Sequence, residues 1–351
     1  RLRDLGIIDT PGTATLTVEN EARTRRMLID GSKDTRRASS WADAALFLSD
    51  SAPRDDERAF IAELGMTPLT TVGVLSRADS FGPGAFGHED PLEMANRYAD
   101  RIGEQLGASV GVVVPLSGLL AESALTGRVN GALARDLAAL APLDREQLID
   151  FIEFPDPSRV VQRFSAAQRD ELLDVMGEYG LVYGRSVAAE HGPGGLLQWM
   201  RQTSGIDRLT EIITQSMPYY ATLQRAVRIV DALESLANQP ETRDHVLWVQ
   251  SVLQSQPQMN DVMLYRSFKN TVADSPDSRL IPQLRAVIQG ATPAQKVGMP
   301  ADAPAERVTV ALRQELAELR ELAMTPLSAA EDDAREHLIV AYQAAWKQLN
   351  A

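Results

Sequence analysis

The sequence predicts an α/β domain with a mostly parallel sheet, partial in what it contains, followed by an elongated α-helical bundle. Three observations predict this. Four short apolar runs bounded by turn or acidic residues alternate with helix-like segments before about Ala121, the pattern of βαβ units. Beyond that point the strand signal fades into long stretches rich in Ala, Leu, Glu, Arg and Gln. Toward the end of the chain apolar residues recur at three-to-four spacing, the period of amphipathic helices.

The first apolar run is "LGIIDTPG", Leu5 to Gly12, read as a short buried strand entering a sharp loop. In an open α/β sheet, ligands sit beyond the carboxyl ends of the strands. Asp9 is placed to order the water shell of a Mg²⁺ ion, and Gly12 to offer a bare backbone N–H to a phosphate. Alone, a D-x-x-G is equally a strand followed by an ordinary turn. Helix-like residues Val18 to Arg37 follow, then the run "AALFLSD" (Ala44 to Asp50) and a helix over Arg54 to Leu64. The third run, "LTTVGVLSRAD" (Leu69 to Asp79), precedes a helix over Pro91 to Leu106. The fourth is "VGVVVPLSG", Val110 to Gly118.

The helical part is divided by "FPDPSRV" (Phe154 to Val160) and "HGPGG" (His191 to Gly195), which act as breakers. After Pro218, the residues Leu223, Val227, Val230 and Leu233 fall on one helix face. Pro304 is read in the first turn of a further helix after Asp302, with Val308, Leu312, Leu316, Leu319 and Ala323 as the stripe. Pro326 ends that helix. Ser328 with Glu331 forms a capping-box signal for the last one, whose stripe is Leu338, Tyr342, Ala345 and Leu349. Two such helices joined by a few residues are expected to pack as an antiparallel hairpin.

Composition sets further bounds. A chain of 351 residues, 44% of them hydrophobic, buries a core of its own and is expected to form two domains. A formal charge of −13 with no prominent basic cluster argues against nucleic acid as a partner. The absence of cysteine removes disulfides, thiolate metal sites and cysteine nucleophiles. The four histidines, His88, His191, His245 and His337, lack metal-ligand spacing. No apolar run reaches the ~20 residues that cross a bilayer, so any membrane role is expected to be peripheral.

The third run ends in "SRAD", Ser76 to Asp79, where guanine-nucleotide enzymes carry N/T-K-x-D. An Asp there accepts hydrogen bonds from N1–H and the exocyclic amine of guanine and is left unpaired by adenine. Arg77 replaces the usual Lys, and its planar head can stack on a base. Ser76 is a weaker substitute for Asn or Thr. The fourth run ends in "PLSG", where Ser117 followed by Gly118 permits backbone N–H groups to approach guanine O6. The three motifs stand in the right order, 70 and 38 positions apart, each at a predicted strand end. The phosphate-binding G-x-x-x-x-G-K-S/T and the switch-I threonine do not occur in the 351 residues. The expectation is that the N-terminal part of a longer protein carries them.

"GIIDTPG", "GVLSRAD" and "VVVPLSGLLAE", followed by a long helical region, closely resemble the actinobacterial dynamin-like GTPases, the mycobacterial members especially. The resemblance covers the nucleotide motifs specifically and the helical half only in general character. It implies a P-loop GTPase domain over residues 1–218, with a helical insertion at about 126–202, and a helical bundle or stalk over 219–351. It implies a large GTPase that hydrolyses GTP to GDP and phosphate with Mg²⁺ and couples this to membrane binding and remodelling. Asp9, Thr10 and Gly12 match the Mg²⁺ and γ-phosphate motif, Arg77 and Asp79 the base-specificity motif, and Ser117 the last base contact. Thr13 stands where Ras-type enzymes have the water-orienting Gln, so the catalytic groups are unassigned. The partners implied are an anionic phospholipid membrane, met from the cytoplasmic face of the plasma membrane, and a second copy or a related dynamin-like protein.

For lipid contact the first candidate is "MNDVMLYRSFKN", where Met259, Met263, Leu264, Tyr265 and Phe268 mix with Arg266 and Lys269. Core packing of one helix is the plainer reading. The loop "QKVGMP", Gln295 to Pro300, is the second candidate. The arginines Arg23, Arg25 and Arg26 are read either as a phosphate-reaching group across a dimer or as solvated helix charges. Two other functions stay open: a catalytically degenerate scaffold that assembles with an active partner GTPase, and a soluble regulatory or translation-associated GTPase. The acidic charge and long terminal helices speak against the latter.

Overall fold

The computed structural model describes residues 5–8, 42–51, 65–107 and 109–350. Asp9, Thr10, Gly12, the cluster Arg23, Arg25 and Arg26, and the two helices expected over Val18 to Arg37 and Arg54 to Leu64 lie outside the described residues. The described chain forms two compact units. One holds residues 46–51 and 71–216; the other holds 5–8, 42–45, 65–70 and 217–350.

The sheet has three strands in the order β1 (Ala45–Ser49), β2 (Thr71–Ser76) and β3 (Val112–Leu116). β2 and β3 run parallel, with Val72 opposite Val112 and Ser76 opposite Leu116. The Ala45 N–H donates to the Thr70 carbonyl and the Ser76 hydroxyl to the Ser49 carbonyl, so β1 starts and ends beside β2 and is parallel too. The central strand is β2, buried from Thr71 to Leu75, which its unbroken apolar run anticipates. Pro115 lacks the N–H that a central strand needs, and β3 lies at the end of the sheet order, where a proline is tolerated.

The expected strand at Leu5 to Ile8 is corrected. These residues form no strand, and Ile7 is 77% exposed. Four apolar residues gain strand structure only from a neighbouring ladder, and no described residue pairs with them.

Helices of the first unit begin where their capping residues dictate. Asp90 caps α1 (Pro91–Gln105) by accepting from the Leu92 N–H at 2.8 Å, with Pro91 in the first turn. Ser117 caps α2 (Gly118–Leu125), Asn130 caps α3 (Gly131–Ala138), and Asp144 with Gln147 boxes α4 (Arg145–Glu153). A single turn at Pro157–Arg159 then interrupts the chain within the "FPDPSRV" breaker. Next comes α5 (Ala166–Thr203), opened by the Ser165 and Gln168 capping box and bent at Gly177 and Gly192, whose φ values of 62° and 64° leave the helical region. The second bend lies in the "HGPGG" breaker and is followed by Pro193. After α6 (Ile206–Glu211), a π-helical turn over Ile212–Ser216 closes the unit.

The second unit is helical. Its elements are α7 (Met217–Ala237), α8 (Arg243–Gln254), α9 (Met259–Asp274), α10 (Leu280–Gln289), the short α11 (Pro293–Lys296), α12 (Ala305–Leu322) and α13 (Ala329–Leu349). Its core gathers Leu223 and Val227 of α7, Tyr265 and Phe268 of α9, Leu284 of α10, Leu312 and Leu319 of α12, and Leu338, Tyr342 and Ala345 of α13. Of the anticipated stripes, Leu223, Val227, Val308, Leu312, Leu319, Leu338, Tyr342 and Ala345 are buried and Val230, Leu233, Leu316 and Leu349 half-buried, whereas Ala323 is exposed and Leu322 takes its place in the core. Ser328 and Glu331 exchange hydrogen bonds at 3.0 and 3.2 Å, which starts α13 at the expected place. Pro304 proves to precede α12 rather than sit in its first turn.

Candidate functional site

Because the strands are parallel, their carboxyl ends share one sheet edge. That edge holds Ser49 and Asp50 at the end of β1, the Ser76–Asp79 segment at the end of β2, and Ser117 with Gly118 after β3. Register places Ser76 opposite Leu116, so Arg77 and Ser117 are the next residues out on adjacent strands. The base-specificity residues expected from sequence are thereby brought to one place.

Arg77 takes φ 54° and ψ 36°, a left-handed backbone that among the described residues no other non-glycine residue adopts. A Cβ in this region crowds the following carbonyl and costs roughly 1–2 kcal/mol. The turn is held on both sides. Before it, the Ser76 hydroxyl donates to Ser49 O at 3.1 Å; after it, the Ser80 N–H and hydroxyl both donate to Arg77 O at 3.0 and 3.2 Å. The Arg77 side chain is exposed and that of Asp79 half-buried, and neither pairs with any described residue. Among the described residues, then, an acceptor and a planar cation two residues apart stand without a partner at the sheet edge.

Ser117 is fully buried, and its side chain accepts from the Leu120 N–H to cap α2. Its own N–H donates to the Ser204 carbonyl at 2.9 Å. The Ser117 amide is therefore already engaged, and the amides left for a ligand are those at the start of α2. Beside Gly118 no atom lies within 4 Å of where a Cβ would stand, so this point of the edge is open to close approach. Sequence reasoning missed Ser49 and the Ser204–Gly205 turn.

No family model and no solved structure matches the chain. The chain is similar to the isoniazid-induced protein IniC of Mycobacterium tuberculosis. In strains CDC 1551 / Oshkosh and ATCC 25618 / H37Rv alike it is 33% identical over 202 residues, 54% of this chain. The match spans 38% of the length of these curated relatives. Among the described residues no group of three or more His, Asp or Glu side chains is arranged to hold a metal ion.

Of the two lipid-contact candidates, the first takes the core-packing reading. Leu264, Tyr265 and Phe268 are buried in the core of the helical unit, and Met259 packs partly against it. The Tyr265 hydroxyl pairs with Thr67 and Gln224. Arg266 donates to Glu234 at 2.8 Å and pairs with Asp231 at 2.9 Å, which holds the Glu234 carboxyl below the usual carboxylate range. Lys269 is half-buried, and loss of hydration lowers its pKa. Met263 is half-buried. The apolar side of this segment thus serves the core, whose burial outweighs what an exposed aromatic face would offer. In the "QKVGMP" loop, Val297 and Met299 likewise pack against the core. Among the described residues no helix is long and apolar enough to cross a membrane.

Proposed function

We propose that this chain is part of a dynamin-like large GTPase that hydrolyses GTP to GDP and phosphate and couples the cycle to binding and remodelling of an anionic membrane. The observation that carries the reading is the convergence of Arg77, Asp79 and the Ser117–Gly118 loop on the carboxyl edge of a parallel sheet. An unpaired, half-buried Asp79 suits the paired N1–H and amine donors of guanine and disfavours adenine, which offers no such pair. Arg77 supplies a planar face for the base. The open approach at Gly118 suits contact with O6. Mg²⁺ and the γ-phosphate belong, in this reading, to Asp9, Thr10 and Gly12 together with a phosphate loop outside these 351 residues.

The helical unit is assigned the mechanical half of the cycle, as a peripheral membrane element on the cytoplasmic face that works as a homodimer or with a related dynamin-like protein. Its lipid-facing residues are to be sought outside the buried side of α9. One observation favours a second reading, a degenerate scaffold assembled with an active GTPase: the Ser76 hydroxyl is committed to Ser49 O. In active guanine-nucleotide enzymes, the residue in that position ties the base loop to the phosphate loop.

The test is GTP turnover by the full-length protein with and without anionic liposomes, beside Asp79→Ala. GTP-selective turnover that rises with liposomes and falls in the variant supports the enzyme. A folded protein with no turnover in either condition leaves the scaffold.

A further inference from the structure

Residues 204 and 205 occupy no motif, yet they touch the end of β3 more closely than any neighbour requires. Gly205 has φ +83°, and a Cβ there would stand 2.2 Å from the Pro115 carbonyl oxygen and 3.8 Å from Leu116 Cα. Backbone therefore lies directly on backbone, which only glycine permits. One residue earlier, the carbonyl of the fully buried Ser204 accepts the Ser117 N–H at 2.9 Å. The Ser204 hydroxyl donates to Arg201 O at 3.0 Å and accepts from the Ile206 N–H at 3.4 Å, so the turn is itself held on both sides.

We propose that the Ser204–Gly205 turn is a positioning element for the base end of the nucleotide site, acting through Ser117 on the loop that meets the 6-position of the base. The inference rests on the guanine-nucleotide reading of the site. The Ser117 N–H is the first amide after β3, and its bond to Ser204 O sets where the following amides of Gly118 and Leu119 stand. A Cβ at position 205 pushes against the Pro115 carbonyl, a rigid backbone atom rather than a side chain that can turn away. The displacement is passed two residues on, through Leu116 to Ser117. Asp79, in the turn that follows β2, takes no part in this contact. Recognition of the 6-oxo group is therefore separable from recognition of the 2-amino group.

The test uses the full-length protein and measures dissociation constants for GDP, for inosine diphosphate, which lacks the 2-amine, and for the diphosphate of 2-aminopurine riboside, which lacks O6 and with it the N1–H. Gly205→Ala is expected to weaken GDP by about tenfold or more and to narrow its preference over the 2-aminopurine nucleotide by the same factor, leaving the part due to N1–H at Asp79, while the preference over the inosine nucleotide stays. Ser204→Ala, which keeps the carbonyl but loosens the turn, is expected to show the same pattern in weaker form and covers the case in which Gly205→Ala does not fold. Gly192→Ala is the control: it also carries positive φ, but nothing lies within 4 Å of its Cβ position, so it strains α5 without touching β3. Equal weakening of all three nucleotides, or the same pattern in Gly192→Ala, overturns the positioning role. A wild-type protein that binds none of the three overturns the guanine reading itself and the inference with it.

Discussion

The Tyr265 hydroxyl stands 2.9 Å from the Thr67 hydroxyl, joining parts of the chain 198 residues apart, and 3.1 Å from Gln224 Oε1. Thr67, Tyr265 and Gln224 are all buried, and the Gln224 amide donates in turn to Gly65 O at 3.2 Å. The segment Gly65–Thr70 is thus pinned to α7 and α9 by polar groups within an apolar core.

Tyr265→Phe keeps the ring and removes that pin. It leaves Gln224 Oε1 and Thr67 each short of one buried partner, a loss of about 1–3 kcal/mol. Urea denaturation is expected to show a lower midpoint with an unchanged slope. An unchanged midpoint would show that the hydroxyl network contributes nothing net.

Arg77→Gly relieves a left-handed backbone without removing any side-chain pairing among the described residues. A gain of up to about 1 kcal/mol in stability is expected, offset in part by the freer glycine in the unfolded chain. Thermal unfolding reads it. A drop in stability would mean that the Arg77 side chain makes a stabilising contact that the strain argument omits.

Glu315 of α12 accepts from Gln283 of α10 at 2.6 Å and from Tyr342 of α13, with no cation among these partners. Burial, its leading cause, raises the Glu315 pKa, and Glu318 on the same helix adds to it. A carboxyl whose folded pKa lies above its unfolded value favours the folded state at low pH and loses that advantage as pH rises through the folded pKa. Glu315→Gln is therefore expected to stabilise the helical unit at about pH 7 and to leave it unchanged at about pH 4, where the wild-type group is protonated. An equal effect at both pH values would sink the assignment.

Ser328→Ala removes the acceptor for the Glu331 N–H and one half of the capping box, and is expected to cost about 1 kcal/mol. Ser328→Asp, which keeps an acceptor at the same place, is expected to restore most of it. Denaturant midpoints of the three proteins decide this.

Much of the architecture was legible because it depends on local rules. Ser328 with Glu331 was legible as the start of the last helix because a cap bonds amides two or three positions on; Asp90, Ser117, Asn130, Asp144 and Ser165 open their helices by the same rule in the structure. The breaker at Gly192 and Pro193 is equally local. Strands β1 to β3 were legible as apolar runs ending in Ser, Asp or Gly. The run at Leu5 to Ile8 looks the same in composition, and nothing local distinguishes a run that finds a ladder from one that does not.

The candidate site was legible by residue and not by geometry. Arg77, Asp79 and Ser117 were identified from spacing, but the left-handed turn at Arg77 follows from its bonds to Ser76 and Ser80 and from the strands around it. Ser49, Ser204 and Gly205 were invisible, since each acts through a backbone carbonyl or a missing Cβ, which a sequence records for every residue or for none.

By itself, then, the sequence determined the apolar stripes of the long helices and the start of the last one, the parallel α/β pattern and the order of the polar motifs at strand ends, because periodicity, capping and turn chemistry act over a few residues. Only the tertiary structure decided which side of an amphipathic segment is spent on the core. In Met259–Asp274, aromatic and basic residues suited to an interface also suit burial beside ion pairs, and the outcome turned on Thr67, Gln224 and Glu234, all distant in the chain. It likewise decided that Gly205 lies against Pro115, because such contacts depend on where two distant backbones meet, a property that no local pattern encodes.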